Sequence, residues 1–227
     1  MPATAQLGEF GAVIFDWDGV LVDSATNYYR AYELVLQEIG IATTPREIYL
    51  REGEPTPKLI AALCRERGIE MEQSGVQALV ERRRRYDAAL GPRRFFDGVW
   101  DLISRLRNSG LKIGVVTGSS RKSVHLALGP EQEKVLDALI TADEVTLPKP
   151  DPQPFHLASE VLGLAPARCV VVENAPFGIQ SARRAGCRVI GLCTTLPAED
   201  LGDANWIVAN HAELGLLLSG NSRVVSS

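Results

Sequence analysis

The 227-residue sequence has no long apolar run, no paired cysteines and no excess of positive charge. None of its apolar runs approaches the ~20 residues that a membrane-spanning helix needs. Its start lacks a basic stretch followed by an apolar one, so we expect no export signal there. A small polar tail from Gly220 onward is expected to fray. We therefore expect a cytoplasmic protein that does not bind membranes.

The charge balance argues against a general affinity for nucleic acid. The 24 Lys and Arg residues are outnumbered by 28 Asp and Glu, which gives a formal net charge of −4 at pH 7. Without an overall basic field, any anionic ligand must be held by local groups. The four cysteines stand far apart without a CxxC pair, a pattern typical of small buried side chains in a reducing compartment.

Short apolar runs rich in β-branched residues recur along the chain and predict strands that are buried on both faces. These runs are 11–15, 111–116, 138–141, 169–172, 189–193 and 206–208. Helical signals separate most of them, as in 152–162, which begins on proline and is followed by Gly163. We find no internal repeat. The alternation predicts a doubly wound parallel α/β sheet, a Rossmann-like core.

One stretch, from Thr26 to Leu90, shows helical periodicity and no convincing strand, which predicts an insert of four helices. The insert follows the first strand directly, so we expect it at the carboxyl edge of the sheet, where open α/β folds bind ligands. We therefore predict an all-α helical cap over residues 26–92. Residues 1–25 and 93–227 would then form the catalytic core.

Two carboxylates, Asp16 and Asp18, end the first predicted strand, followed by Gly19. Side chains with this spacing can converge on one metal ion, and glycine eases a tight turn. The same residues would also suit a simple acidic turn. The pair alone does not decide between these readings.

Polar groups also follow three later elements. Thr117, Gly118 and Ser119 form a turn that can offer hydroxyl and N–H donors to a phosphate, or merely cap the next helix. Lys149 stands between two prolines, which restrict the backbone and would aim its ammonium group, although a loop lysine is more often plain surface. Glu173-Asn174 follows another strand with groups capable of binding metal.

In order along the chain, FDWDGVLVDS, VVTGSS, PKPDP and VVENAPFGIQSARRAG resemble the haloacid dehalogenase-like superfamily of phosphotransferases. The resemblance is to the branch with a small helical cap after the first strand, and it spans nearly the whole chain. It implies a phosphatase that acts on a small phosphorylated metabolite. Asp16 would be the nucleophile that forms an aspartyl-phosphate. Asp18 would protonate the leaving group and then activate water.

The same resemblance implies how the phosphate is held. Thr117, Gly118 and Ser119 would bind the phosphoryl oxygens, while Lys149 would neutralise charge and orient Asp16.

It also implies a Mg²⁺ cofactor, held by Asp16 and by the main-chain carbonyl of Asp18. The branch most often has two successive acids where this chain has Glu173-Asn174. Asn174 would bind the ion directly through its amide oxygen, and Glu173 would reach it through water. Alternatively, Asn174 only caps the following turn and Glu173 alone lies at the metal.

The residues also bear on activities other than phosphate hydrolysis. Asp18 argues against dehalogenation, because a halide leaving group needs no proton. A β-phosphoglucomutase-like mutase is the nearest alternative, but Tyr28 stands where that enzyme carries histidine. The segment 52–56 also lacks the basic residues that grip the second phosphate of the mutase. A further alternative is a catalytically silent relative that binds a phosphorylated ligand or a protein partner.

Features of the insert bear on specificity. In similar proteins the loop with Glu52 and Gly53 faces the active site, where glycine would allow close approach and Glu52 would select substrate or hold a metal-bound water. The alternative for Glu52 is a solvated charge at a helix end. The four arginines 82–85 point most of the way round a helix, which favours a mostly solvated surface with one inward arginine. We expect a monomer.

Overall fold

The computed structural model describes residues 10–220. Residues 1–9 and 221–227 lie outside this range, and with them the expectations for the start of the chain and for nearly all of the polar tail. No helix within 10–220 is long and apolar enough to cross a membrane.

Strands and helices alternate through most of the described chain. The strands are β1 (Ala12–Phe15), β2 (Val22–Asp23), β3 (Arg94–Phe95), β4 (Lys112–Val116), β5 (Ala138–Ile140), β6 (Cys169–Glu173), β7 (Arg188–Leu192) and β8 (Trp206–Val208). The helices are α1 (Ala25–Gln37), α2 (Pro45–Tyr49), α3 (Thr56–Glu66), α4 (Gln73–Ala89), α5 (Val99–Asn108), α6 (Arg121–Ala127), α7 (Pro130–Glu133), α8 (Gln153–Leu162), α9 (Pro176–Arg184) and α10 (His211–Leu218).

The main sheet has six parallel strands in the order β5-β4-β1-β6-β7-β8. Each of the six apolar runs forms one of these strands, so the predicted doubly wound α/β fold is confirmed. The chain order reverses direction on either side of β1, which places the carboxyl ends of β1, β4 and β6 side by side. Ligands of open α/β sheets bind at such a point.

The sheet is covered on both faces, which is why its strands are apolar without alternation. Along β1, Val13 and Phe15 face one core cluster, which includes Ile103 of α5. Ala12 and Ile14 face the opposite cluster, which contains residues of α8 and α9. The first strand is therefore fixed from both sides, and the residue that follows it is held firmly.

Helices α1 to α4, residues 25–89, form what we call the helical segment. It has an apolar cluster of its own, in which Tyr32, Leu36, Leu63 and Leu79 are buried. The segment leaves and rejoins the sheet through the antiparallel pair β2–β3. The sequence did not predict this pair, because two-residue strands show no periodicity. The predicted domain boundaries at 26 and 92 stay a prediction.

Candidate active site

The carboxyl ends of three neighbouring strands place the predicted polar residues together. Phe15, the last residue of β1, pairs with Val115 of β4 on one side and Val172 of β6 on the other. Asp16 continues this alignment, since its backbone N–H donates to the Val172 carbonyl at 3.0 Å. Asp16 therefore projects from the middle of the sheet edge, between the ends of β4 and β6.

Lys149 joins Asp16 to Glu173. Its ammonium nitrogen lies 2.7 Å from Asp16 Oδ1 and 2.7 Å from Glu173 Oε1, and 3.4 Å from the Val116 carbonyl. Asp16 and Lys149 each keep only 7% of their surface exposed, and Glu173 keeps 1%. Three charged groups in such a buried position are favourable only when they compensate one another. The loop lysine is thus part of the site and not plain surface.

The electrostatics of this trio follow from burial and from its charges. Burial raises the pKa of Asp16, the ammonium of Lys149 opposes this rise, and Glu173 reinforces it. Burial alone would lower the pKa of Lys149, but Asp16 and Glu173 together raise it above its ordinary value. Lys149 therefore stays protonated and holds the Asp16 carboxylate in one orientation.

Asp18, at the start of the connection to the helical segment, is more exposed than the trio, with 19% of its side chain accessible. Ser119 Oγ donates to Asp18 Oδ2 at 3.0 Å, and Arg93 Nη1 lies 3.7 Å from Asp18 Oδ1. Asp18 Oδ1 is buried without a hydrogen-bond partner in the described chain. One oxygen of this carboxylate is thus fixed and the other is available.

The turn after β4 is organised around Thr117. The Thr117 side chain is buried, and its Oγ1 accepts from the backbone N–H of Ser119 at 3.0 Å. Gly118 is exposed. The Ser119 hydroxyl is committed to Asp18 here, so a direct role in phosphate binding falls to the amides of this turn and to Thr117. These phosphate-binding roles stay predictions.

Glu173 is held entirely by protein groups. Its Oε1 accepts from Lys149, and its Oε2 accepts from the backbone N–H groups of Asn174 and Ala175 at 3.0 and 3.2 Å. Gly178 makes room for the carboxylate, because a Cβ at that position would lie 1.7 Å from Glu173 Oε1. Both carboxylate oxygens of Glu173 therefore already have protein hydrogen-bond partners without a metal ion.

Asn174 has the opposite arrangement. Its amide nitrogen donates to Glu52 Oε2 at 3.1 Å and to Thr195 Oγ1 at 3.0 Å. These two acceptors define which end of the amide is nitrogen, and they leave Oδ1 as a buried oxygen without a hydrogen-bond partner in the described chain. Gly19, at φ +76°, allows the close approach, since a Cβ there would lie 2.3 Å from Asn174 Nδ2.

The helical segment reaches this site through the loop after α2. Gly53 has φ +93°, and a Cβ there would lie 3.4 Å from Phe177 Cβ and 3.5 Å from Lys149 Cβ. Burial raises the pKa of Glu52 well above its ordinary value, and the carboxylates of Asp16 and Asp18 add to the rise. The structure thus brings both predicted loop residues to the site. Their role in specificity stays a prediction.

Thr194, Thr195 and Arg93 were missed by sequence reasoning. Thr194 Oγ1 donates to the Gly19 carbonyl at 2.6 Å, and Thr195 Oγ1 both accepts from the Asn174 amide and donates to the Asn174 carbonyl at 3.3 Å. A signal was present, because both threonines follow β7 at the same sheet edge. Arg93, which also pairs with Asp87, had no comparable signal in the sequence.

Whether the site suits a metal ion depends on the oxygen atoms that it offers as ligands. No three Asp, Glu, His or Cys side chains within residues 10–220 form a group that could hold one. The buried, unbonded Asn174 Oδ1 would add an oxygen to the two that the family resemblance implies, the Asp16 carboxylate and the Asp18 main-chain carbonyl. An all-oxygen set with a neutral amide is the ligand chemistry that Mg²⁺ accepts. The residues therefore fit this ion; Asn174 Oδ1 has no hydrogen-bond partner in the described chain, whereas both Glu173 oxygens accept hydrogen bonds, and direct binding by Asn174 stays a prediction.

A family profile described as haloacid dehalogenase-like hydrolase matches residues 10–186, a range that contains every residue named at the candidate site except Thr194 and Thr195. The chain belongs to this family. Validoxylamine A 7'-phosphate phosphatase of Streptomyces hygroscopicus subsp. limoneus is 30% identical over 220 residues, which cover 90% of this chain and 96% of that protein.

Two further similar proteins differ in how much of their own length the match covers. Protein SUPPRESSOR OF QUENCHING 1, chloroplastic, of Arabidopsis thaliana is 29% identical over 210 residues; these cover 89% of this chain but only 20% of that protein. A candidate beta-phosphoglucomutase from Bacteroides vulgatus has a solved structure with a TM-score of 0.81 and 25% identity, covering 94% of this chain and 91% of its own. Together the comparisons support a phosphatase or a mutase.

Proposed function

We propose that this protein is a Mg²⁺-dependent phosphatase that hydrolyses a small phosphorylated metabolite through an aspartyl-phosphate on Asp16. The observation that carries the proposal is the Lys149 ammonium, which lies 2.7 Å from both Asp16 and Glu173 at the carboxyl edge of the sheet. It holds a buried carboxylate in place where strand ends offer further polar groups. Phosphoryl transfer needs this kind of positioning more than it needs covalent help.

In the first step an oxygen of Asp16 attacks phosphorus, and the bond from phosphorus to the leaving oxygen breaks. Lys149 offsets negative charge beside the reacting carboxylate, and Thr117 with the amides of its turn donates to the phosphoryl oxygens. Asp18 gives its proton to the departing oxygen. The Ser119 hydroxyl keeps Asp18 facing the site through its contact with Oδ2.

In the second step Asp18 acts as a base. It takes a proton from a water molecule, whose oxygen attacks phosphorus and releases Asp16 and inorganic phosphate. When bound, Mg²⁺ supplies positive charge to the phosphoryl oxygens. Asp16, the main-chain carbonyl of Asp18 and Asn174 Oδ1 would hold it, with Glu173 as a neighbour that binds through water.

We further propose that the helical segment, within the predicted bounds 26–92, acts as a cap on this site. The contact between Glu52 and Asn174 supports this role, as do the bonds from Arg46 to Asp200 of 2.9 and 2.6 Å. A cap in this position excludes water during transfer and readmits it for hydrolysis. A cytoplasmic monomer stays a prediction.

A mutase is the second candidate, favoured by the likeness to the candidate beta-phosphoglucomutase. It would move phosphate between two positions of a sugar and would release little free phosphate. Incubation with β-glucose 1-phosphate and a trace of the bisphosphate separates the two. Free phosphate supports the phosphatase, and glucose 6-phosphate without free phosphate would establish the mutase.

The proposed function is tested by phosphate release from p-nitrophenyl phosphate, with and without Mg²⁺. We expect release that requires the metal and is lost in Asp16→Asn. Asp101→Asn makes the same chemical change at an exposed position of α5 and should retain full activity. If the folded wild-type protein releases no phosphate from this ester or from a panel of phosphorylated metabolites, the phosphatase proposal is wrong, and the mutase assay then separates a mutase from a silent relative.

A further inference from the structure

One arginine of the run 82–85 points inward, as the sequence led us to expect, and it is Arg83. Its guanidinium carbon lies 4.6 Å from the ring centroid of Tyr32 and 5.2 Å from that of Tyr28. Both tyrosines belong to α1, so Arg83 of α4 reaches across the interface between the two helices. A guanidinium stacked on aromatic rings keeps its N–H edge free for another group.

Arg83 has no acidic partner within residues 10–220, whereas Arg82 and Arg84 on either side of it are both ion-paired. The ion-paired arginines of and next to the helical segment are Arg30, Arg46, Arg51, Arg67, Arg82, Arg84 and Arg93. Arg83 Nε is buried and has no hydrogen-bond partner in the described chain. A partly buried cation without a counter-ion is unfavourable, so an anion supplied by a ligand would stabilise this guanidinium.

The surroundings of Arg83 are continuous with the proposed active site. The Tyr32 hydroxyl donates to Thr56 Oγ1 at 3.1 Å, at the start of α3 and four residues after Glu52. Burial raises the pKa of Tyr28 well above its ordinary range, Tyr32 and Glu52 add to the rise, and Arg83 opposes it. Tyr28 therefore lies within electrostatic reach of both Glu52 and Arg83. Since Glu52 contacts Asn174, the series Asn174, Glu52, Tyr28 and Arg83 extends from the sheet edge to the interface of α1 and α4.

We propose that Arg83, supported by the rings of Tyr28 and Tyr32, binds a carboxylate at the end of the substrate remote from the phosphoryl group. The proposal rests on the proposed function and names its substrate class, a phosphorylated hydroxy acid. A carboxylate matches the two parallel N–H donors of one guanidinium. A second phosphate carries up to two negative charges and would call for a further cation, but the adjacent Arg82 and Arg84 are paired with Glu38 and Glu81.

The test compares 6-phosphogluconate with glucitol 6-phosphate, two open-chain six-carbon phosphate esters that differ at C1. We expect Arg83→Gln to raise KM for 6-phosphogluconate by ~10–100-fold, the range for a lost charged hydrogen bond. kcat for both esters, and KM for glucitol 6-phosphate, should stay within about threefold. Arg83→Lys keeps the charge but not the paired donors, and should recover part of the loss.

Arg84→Gln is the matched control, because it removes an exposed arginine from the next position of α4 and should leave both esters unaffected. The same comparison by calorimetry in an Asp16→Asn background does not depend on turnover. There, weaker binding of 6-phosphogluconate alone after Arg83→Gln supports the proposal, even if the phosphatase assay fails. Equal effects on both ligands, no effect, or no binding of either ligand would overturn it.

Discussion

Asn174 donates its amide hydrogen to Glu52 across 3.1 Å and thereby links the end of β6 to the loop of the helical segment. The contact joins a residue that follows the sheet to one that follows α2, 122 positions earlier in the chain. It also leaves the amide oxygen of Asn174 without a hydrogen-bond partner in the described chain, as the proposed role in binding a cation requires. One side chain therefore connects proposed metal binding to the proposed cap.

Replacing Asn174 with aspartate should lower the Mg²⁺ demand of the enzyme. A carboxylate at this position compensates the ion better than a neutral amide does, so half-maximal activity should come at a lower Mg²⁺ concentration. The measurement is initial rate against Mg²⁺ concentration. Asn108→Asp, at the exposed end of α5, should show no shift. Complete loss of activity in a normally folded Asn174→Asp protein would count against the assignment.

Gly178→Ala should damage the site without destabilising its helix. A Cβ at 178 would lie 1.7 Å from Glu173 Oε1 and would push this carboxylate away from Lys149. Displacement of a catalytic group by about 1 Å costs ~100-fold in rate, so we expect a loss of this order in kcat/KM.

Gly215→Ala in α10 provides the control for this change. The nearest atoms to a Cβ at 215 are 4.0 Å away, so the alanine fits, and stability should rise by up to ~1 kcal/mol with unchanged activity. Full activity in Gly178→Ala would show that the position of Glu173 does not matter.

Breaking the Arg46–Asp200 pair should weaken the closed form of the proposed cap. The pair joins α2 to the core with contacts of 2.9 and 2.6 Å, but Arg46 is 62% exposed, so its contribution is small. For Arg46→Gln we expect kcat/KM to fall by ~2–5-fold, with a smaller difference from wild type at high salt. Arg67→Gln breaks an ion pair with Glu47 inside the segment and should not change kcat/KM. If both variants lower kcat/KM equally, the Arg46–Asp200 contact has no specific role in cap closure.

Acid should remove the stability that Glu144 provides. Burial would raise the pKa of Glu144, but hydrogen bonds from Arg121 and Thr141 lower it to about 2. A carboxyl group with a lowered pKa stabilises the fold above its unfolded value of 4.5 and loses this contribution as the pH falls toward 2. The side chain is 35% exposed, so solvent screening reduces the contribution to about 1 kcal/mol.

Urea unfolding of Glu144→Gln checks this prediction. The variant should be less stable than wild type at pH ~7, and the difference should shrink between pH ~4.5 and the lowest pH at which both proteins fold. A difference that stays constant with pH would mean that the carboxylate charge is not the source of the stability.

The positions that sequence reasoning found are those with strong local signals. The six strands could be predicted because a parallel strand covered on both faces must be apolar throughout, as Ala12–Phe15 is. Asp16 and Glu173 could be placed near each other because the carboxyl ends of parallel strands share one edge. Lys149, in a loop well beyond the end of β5, was placed beside Asp16 only by the family resemblance. No comparable rule predicts that Asn174 is oriented jointly by Glu52 and Thr195, since that contact depends on how the helical segment packs against the sheet.

The inward orientation of Arg83 is another feature that the sequence alone could not predict. Four successive arginines surround a helix, and the sequence indicates only that one of them faces inward. Which one does so depends on the rotation of α4 against α1, and hence on the packing of buried residues such as Leu36 and Leu79. The ribbon of β2 and β3 was missed for a different reason, because two residues are too few to show a strand pattern.

The most direct test of the central claim is to trap the covalent intermediate on Asp16. The protein is mixed with substrate and Mg²⁺, quenched in acid and reduced with borohydride, which converts an aspartyl-phosphate to homoserine. We predict homoserine at position 16 in the peptide mass spectrum, dependent on substrate and absent without it. Active turnover with modification at another residue, or with none that can be trapped, would contradict the claim that Asp16 carries the phosphoryl group.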